Sequence, residues 1–152
     1  MLDRLFPRHA DNTYRGSKIA LWLFGLVVLL KLVIALNALF NGHQVASSAD
    51  GIPLDTYTPA GAQAVVSLFA SLGLAHLFFC LVCVLVLVRY RALVPCMFAL
   101  LLVEQLSRKL IQQFLPIVRT GSPPGFIVTL VLTALMAVGL ALSLWSPPRR
   151  PS

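Results

Sequence analysis

The sequence predicts an all-α integral membrane protein, a four-helix bundle with short loops that crosses a lipid bilayer four times. Of the 152 residues, 59% are hydrophobic and 11% are charged. A soluble domain is about half apolar and about a quarter charged. The mean hydropathy is +0.88. The apolar residues fall into four continuous segments, each long enough for the ~20 helical residues that cross a hydrocarbon core.

Polar interruptions set the limits of the four segments. We predict helices over 18–40, 62–88, 92–115 and 126–145. Helix is required because lipid offers backbone groups no hydrogen-bond partner, and the segments are too long for the strands of a membrane barrel.

Capping residues and prolines mark the ends of these segments. Thr58-Pro59 predicts an N-cap followed by proline at the first helical position. The run Ser122-Pro123-Pro124-Gly125 breaks the chain before the fourth segment. The tight polar link Arg89-Tyr90-Arg91 predicts that segments two and three are neighbouring antiparallel helices.

Basic residues predict the orientation and the domain organisation. They cluster on one side of a four-span arrangement: Arg4, Arg8, Arg15, Lys18, Arg89, Arg91, Arg149 and Arg150. The opposite side carries only Arg119, and its 41–59 loop has no Lys or Arg. The positive-inside rule then places both termini in the cytoplasm. We expect a basic cytoplasmic tail over 1–17, one transmembrane domain over 18–146 and a cytoplasmic Pro/Arg tail over 147–152.

The same charge pattern argues against nucleic-acid binding. The net charge is +7, but a nucleic-acid binder gathers its Lys and Arg on one water-facing surface. Here the basic residues form short runs beside apolar segments. The whole pattern resembles that of small four-span proteins of bacterial inner membranes, which implies an inner-membrane location and the lipid bilayer as the first partner.

Each predicted helix carries one polar side chain at a similar depth. Lys31, His76, Glu104 and Thr133 each lie 12 or 13 positions from the cytoplasmic end of their segment. At a rise of ~1.5 Å per residue they lie about 18–20 Å deep. Charge at that depth is costly unless it is paired inside the bundle. We therefore predict a buried polar cluster in which Lys31 pairs with Glu104, with Arg108 one turn away on the same helix.

Two functions remain open for this cluster. It can fix the register and pairing of the helices, which favours a non-enzymatic accessory or scaffold subunit with a membrane-protein partner or a second copy. Alternatively, its ionisable groups can form a substrate, ion or proton site, which favours a small transporter or ion-coupled carrier. The absence of a second acidic residue in the segments and of an inverted repeat favours the first.

The cysteines suggest two further sites, and we expect neither. His76, Cys80 and Cys83 share a helix face at i, i+4 and i+7, and these residue types bind zinc or copper, but no fourth ligand is evident. Cys80-x-x-Cys83 resembles the motif of membrane thiol oxidoreductases, which use a second cysteine pair that this chain lacks. We expect no metal, cofactor, disulfide or catalytic residue.

Small residues and the longest loop complete the prediction. Ser67, Ser71 and Ala75 are spaced by four, as are Ala137 and Ala141, and such spacing lets helices approach closely. We expect these stripes to pack inside the bundle, with self-association as the alternative. The 41–59 loop contains the turn signal Asp50-Gly51 and is expected to offer a partner or lipid-headgroup surface.

Overall fold

A computed structural model describes residues 5, 11–14, 16–119 and 124–145. Throughout these residues the chain forms helices and turns without a β-strand, which confirms the all-α prediction. The long helices are α1 (Lys18–Phe40), α2 (Pro59–Arg89), α3 (Val94–Phe114) and α4 (Gly125–Leu144). The predicted 147–152 tail, most of the 1–17 tail and the break at Ser122-Pro123 lie outside the described residues.

Three of the helices, α1, α2 and α4, are long and apolar enough to cross a membrane. Their mean hydropathies are 2.7, 2.6 and 2.5. The third helix, α3, does not join them because Glu104, Arg108 and Lys109 interrupt its apolar sequence. Composition therefore supports a membrane-embedded protein, whereas a fourth span needs separate support.

Side-chain caps start the first two helices. The Ser17 hydroxyl accepts a hydrogen bond from the Ile19 N–H at 3.3 Å, and the Thr58 hydroxyl accepts one from the Gly61 N–H at 3.2 Å. Pro59 follows Thr58 at the first helical position, as predicted. Pro59 lacks an N–H, and the first N–H groups of a helix have no partner within it, so proline costs nothing here.

Glycines allow the closest helix contacts. A Cβ at Gly73 of α2 would lie 2.6 Å from the Leu39 nitrogen and 2.8 Å from the Ala35 carbonyl oxygen of α1. The two backbones thus touch at this crossing. On the other side of the molecule, the Phe98 ring of α3 fills the space above Gly139 of α4.

All four long helices contribute to one apolar core. It consists of Phe24, Val27, Val28, Cys83, Val86, Val94, Met97, Phe98, Leu101, Leu132 and Met136. Phe24 of α1 and Phe98 of α3 meet edge to face, with ring centroids 5.0 Å apart. This geometry is favoured because the positive edge of one ring faces the negative face of the other.

The backbones of α2 and α3 pack less closely than those of the other neighbouring helices. The helix α1 packs mainly against α2 and α4, and α3 packs mainly against α4. A short 3-10 turn, Arg91–Leu93, connects α2 to α3, but their backbones approach each other at few points among the described residues. The side chains of His76 on α2 and of Glu104 and Arg108 on α3 bridge the interval instead. The predicted neighbours therefore meet through side chains rather than through close backbone packing.

The small-residue stripes also lie elsewhere than expected. Ser67, Ser71 and Ala75 are exposed, as are Ala137 and Ala141. Gly73 lies two residues from Ser71 and therefore on nearly the opposite face of α2, since each residue turns the helix by ~100°. The prediction that the stripes pack inside the bundle was wrong, because glycines occupy the close contacts.

The molecule has two distinct ends. At the link end, the Ala92 N–H donates to the Asp11 carbonyl oxygen at 3.2 Å and the Ser17 N–H to the Leu142 carbonyl oxygen at 3.4 Å. The start of α1, the α2–α3 connection and the end of α4 therefore lie together. At the loop end, a Cβ on Gly125 would lie 2.7 Å from the Ala49 carbonyl oxygen. The loop between α1 and α2 thus rests on the start of α4.

That loop is folded rather than extended. It forms short helical segments at Gly42–Gln44, Val45–Ala49 and Leu54–Thr56. Gly51 has a φ of 70°, in the left-handed region that favours glycine, which confirms the predicted Asp50-Gly51 turn. Ala46, Ile52 and Leu54 form a second small core against the first turns of α2.

Candidate functional site

The strongest polar feature is a carboxylate bound by basic side chains from three helices. Glu104 of α3 meets Lys31 of α1, with 2.5 Å between Nζ and Oε2. The Lys31 side chain is only 7% exposed and that of Glu104 is 29% exposed. In such low-polarity surroundings the attraction between opposite charges is stronger than in water.

The second oxygen of Glu104 has two neighbours. Arg108, one turn along α3, places Nη2 2.7 Å from Oε1. His76 of α2 places Nε2 3.1 Å from the same oxygen. Both oxygens are therefore engaged, and Glu104 connects α1, α2 and α3. We call Lys31, His76, Glu104 and Arg108 the Glu104 cluster.

The hydrogen bonds of His76 indicate how its proton is placed. Its Nδ1 lies 2.8 Å from the Leu72 carbonyl oxygen, so Nδ1 carries a hydrogen and donates. Its Nε2 lies 2.5 Å from Arg108 Nη2, which always donates. Nε2 of a neutral imidazole accepts from Arg108, whereas Nε2 of a protonated one donates to Glu104. His76 Nε2 therefore lies between Arg108 and Glu104 and contacts both.

The fifth residue of the predicted cluster lies apart from it. The Thr133 hydroxyl donates to the Thr129 carbonyl oxygen of its own helix at 2.7 Å. A threonine within a helix can donate its hydroxyl to the carbonyl oxygen four residues earlier, so matched depth does not require it to reach a neighbouring helix. The structure thus brings together Lys31, His76, Glu104 and Arg108, but not Thr133.

The cluster carries more positive than negative charge. Glu104 is the only acidic residue within the four long helices, and it faces two permanent cations, Lys31 and Arg108. Arg108 is 44% exposed at its side chain and lies at the rim rather than in the interior. Arg108 is therefore the cluster member most available to a group outside the chain.

Two further polar residues, Gln105 and Ser143, are buried outside the Glu104 cluster. Gln105, next to Glu104, is 6% exposed, and Ser143 of α4 is 2% exposed. The Ser143 hydroxyl donates to the Leu140 carbonyl oxygen at 2.8 Å. Gln105 appears in the sequence only as one of several polar residues on α3, and no spacing signal distinguishes it from its exposed neighbours.

The three cysteines are free thiols, with Cys80 and Cys83 on α2 and Cys96 on α3. Cys80 and Cys83 are buried and Cys96 is partly exposed. Cys83 belongs to the apolar core, whereas His76 turns toward Glu104. Among the residues that the structure describes, no three His, Cys, Asp or Glu side chains are grouped as metal ligands.

A polar groove of about 350 Å³ opens at the loop end. We call it the loop-end groove, and its polar lining is Asp50, Lys109, Gln112, Gln113, Arg119 and Thr129. Burial raises the pKa of the Asp50 carboxyl, and the positive charges of Arg119 and Arg108 act in the opposite direction. The sequence predicted the Asp50-Gly51 turn but had no means of placing Asp50 and Lys109 around one space.

A buried tyrosine marks the link end. The Tyr14 hydroxyl has no hydrogen-bond partner among the described residues. Burial raises the pKa of Tyr14 to about 12. A Cβ on Gly16 would lie 2.6 Å from this hydroxyl, so Gly16 leaves room for the ring.

Comparison with known proteins gives no relative from which a role can be transferred. No protein-family model, curated protein or solved structure matches the chain. The side chains and their geometry are therefore the basis for inferring a function.

Proposed function

We propose that this chain is a non-enzymatic, four-span protein of a bacterial inner membrane that serves as an accessory or scaffold subunit. The observation that carries the proposal is the saturation of Glu104. Both of its oxygens are engaged by side chains of the same chain. A carboxylate held in this way fixes three helices relative to one another.

The two ends of the molecule support a fourth span. The end of α2 lies at the link end, where Ala92 contacts Asp11. The start of α4 lies at the loop end, against Ala49. If α1, α2 and α4 cross the bilayer, α3 has to cross it as well, and its charge at mid-depth is offset by the pairing with Lys31.

The basic residues support cytoplasmic termini. Lys18, Arg89 and Arg91 lie at the link end, whereas the loop over 41–58 contains no Lys or Arg. The positive-inside rule then places the link end in the cytoplasm and the loop end in the periplasm. A reporter that is active only in the periplasm should work when fused after Asp50 and fail when fused after Arg150. Activity after Arg150 would overturn the four-span topology.

A structural role for the cluster follows from the energetics of buried charge. Removing charges from water costs several kcal/mol per ion, and this cost is offset only with good geometry and full hydrogen bonding. In the Glu104 cluster both carboxylate oxygens have partners within the chain. A transported cation would have to displace Lys31 or Arg108 from Glu104 before it could bind the carboxylate.

Exposed small residues support a helical partner. Ser67, Ser71 and Ala75 form a continuous exposed stripe along one face of α2. In lipid, helices associate where small residues let backbones approach closely. Since α1 occupies the opposite face of α2 at Gly73, this stripe is free to receive a transmembrane helix of another protein or of a second copy.

The experiment is capture of the tagged full chain from membranes in mild detergent, followed by mass spectrometry. We expect a membrane protein, or a second copy of the chain, to co-purify in a fixed ratio. The paired substitution Ser71→Leu and Ala75→Leu should abolish this capture by filling the stripe. Val88→Leu, which enlarges an exposed residue on another part of the α2 surface, is the matched control and should retain it.

One observation favours a transporter as the second candidate. His76 Nε2 lies within hydrogen-bond distance of both Arg108 and Glu104. Protonation of Nε2 would therefore replace a hydrogen bond from Arg108 by a hydrogen bond to Glu104. Purified protein in liposomes would distinguish the two functions. Uptake of a solute or of protons by the chain alone, lost in His76→Gln, would favour the transporter over the scaffold.

A further inference from the structure

The loop-end groove is lined by charges of both signs that are not paired with one another. Asp50 comes from the α1–α2 loop, Lys109 from the last turns of α3, and Arg119 from the segment that follows α3. All three residues are half-buried. Within the part of the chain that the structure describes, none of the three forms an ion pair with another.

The arrangement differs from that of an ordinary surface salt bridge. Arg119 and Arg108 influence Asp50 through their charge, yet no direct contact joins them. Separated half-buried charges lose part of their hydration without gaining a partner, which is unfavourable for each of them. An occupant that carries a cation and an anion would supply both missing partners at once.

The remaining lining of the groove has the same character. Gln112, Gln113 and Thr129 add hydrogen-bonding side chains. The rim is apolar, with Phe126 63% exposed and Ile117 47% exposed. A concave site with a few convergent polar groups and apolar walls is the usual form of a ligand site.

The position of the groove limits the source of the ligand. It lies where α3 ends and α4 begins, at the loop end of the helices that we propose to span the membrane. From the groove toward the middle of α3, Leu110, Leu106 and Val103 are exposed apolar residues. A headgroup in the groove would therefore have apolar helix surface beside it for its acyl chains.

We propose that the loop-end groove binds the zwitterionic headgroup of a phospholipid that carries a phosphate and a primary ammonium. The phosphate lies between Lys109 and Arg119, and the ammonium donates to the Asp50 carboxylate. Gln112 and Thr129 donate to the remaining phosphate oxygens. This inference rests on the four-span topology of the proposed function but not on the scaffold role, because it requires no protein partner.

The test is a titration of the purified full chain in detergent, followed by native mass spectrometry, with phosphatidylethanolamine and phosphatidylglycerol as probes. Wild type should prefer phosphatidylethanolamine by about tenfold, the value expected for one charge-assisted hydrogen bond. Asp50→Asn should remove this preference without weakening the binding of phosphatidylglycerol. The paired substitution Lys109→Gln and Arg119→Gln should weaken both lipids by about tenfold or more.

The control is Arg89→Gln with Arg91→Gln, which removes the same charge at the link end and should change neither affinity. Equal binding of the two lipids by wild type, or an equal loss in the control, would overturn the proposal. Soluble phosphoethanolamine that binds as tightly as the lipid would also overturn it, since the ligand would then be a free metabolite. If the paired groove variant does not fold, the loss of lipid preference in Asp50→Asn still tests the proposal. The reporter fusions after Asp50 and Arg150 test the topology separately. If they support four spans and the lipid titration fails, only the lipid site is wrong.

Discussion

Arg108 and Lys109 are neighbours in the sequence, yet they belong to regions with opposite electrostatics. Arg108 joins a cluster in which Glu104 is bound by side chains of the same chain, whereas Lys109 lines a groove in which the charges remain apart. Successive helical residues point ~100° apart, so one turn of α3 can serve both regions. The comparison teaches that charges in this fold occur in two arrangements: the charges around Glu104 are paired across helices, and those of the loop-end groove are not paired with one another. We propose a structural role for the first and a ligand for the second.

The largest effect is expected when Glu104 loses its charge. Glu104→Gln leaves Lys31 buried without a counter-charge, and breaking a buried pair in this way costs about 3–5 kcal/mol. The measurement is the free energy of unfolding in detergent micelles. Asp55→Asn, which removes a negative charge from an exposed position of the loop, is the control and should change it by less than about 0.5 kcal/mol. Equal losses in the two variants would show that the cluster contributes nothing specific.

A second prediction concerns the contact that positions the cluster. Gly73 lies one turn before His76, and its neighbour Ala35 lies one turn after Lys31, so the crossing at Gly73 sets the spacing of these two basic groups. Gly73→Leu should destabilise the chain by about 1–3 kcal/mol through overpacking. Ser71→Leu on the exposed face should have little effect. A larger loss from Ser71→Leu, measured in the same detergent, would contradict the assignment of the two faces.

Much of the fold could be predicted from the sequence because the membrane imposes simple rules. Apolar length and polar breaks located the four helices, and Thr58-Pro59 and Asp50-Gly51 located a cap and a turn. Helix neighbours were less predictable. Whether α2 packs on α1 or on α3 depends on which glycine faces which backbone, and Gly73 gave no signal beside the more regular stripe of Ser67, Ser71 and Ala75.

The Glu104 cluster was predictable because the depths of polar residues in different helices could be compared. The matched depths of Lys31 and Glu104, together with the cost of unpaired charge, indicated their pairing. The same comparison included Thr133, which bonds within its own helix instead. The groove could not be predicted, because its residues come from a loop, a helix and a connecting segment whose relative placement no periodicity encodes.

A smaller loss of stability is expected when either of the adjacent cations Arg108 and Lys109 is neutralised. Arg108→Gln removes a partly exposed partner of Glu104 and should cost about 1 kcal/mol or less, since exposed ion pairs contribute little. Lys109→Gln removes a charge from the groove and should leave the free energy of unfolding unchanged in lipid-free detergent. If Lys109→Gln were the more destabilising of the two, the division between a paired and an unpaired region would be wrong.

The smallest effect is expected in the pH dependence of Asp50. Because burial raises its pKa in the folded chain, the folded state binds the proton more tightly than the unfolded state. This contribution to stability is present at low pH and is lost as the pH rises through the folded pKa. Asp50→Asn should therefore gain stability relative to wild type between pH 3.5 and pH 7. Unfolding curves of both proteins at both pH values measure this difference in stability. A loss of stability in Asp50→Asn relative to wild type as the pH rises would mean that Asp50 is already paired.

The most direct test of the structural role of the Glu104 cluster is a double-mutant cycle with Lys31→Met, Glu104→Gln and the two together. The free energy of unfolding is measured in detergent, and capture of the partner is assayed in parallel. The structural role predicts that the double variant is less destabilised than the sum of the single variants, by about 2–3 kcal/mol, and that it still captures the partner. Losses that add to within about 0.5 kcal/mol, or a stable double variant that no longer captures the partner, would contradict it.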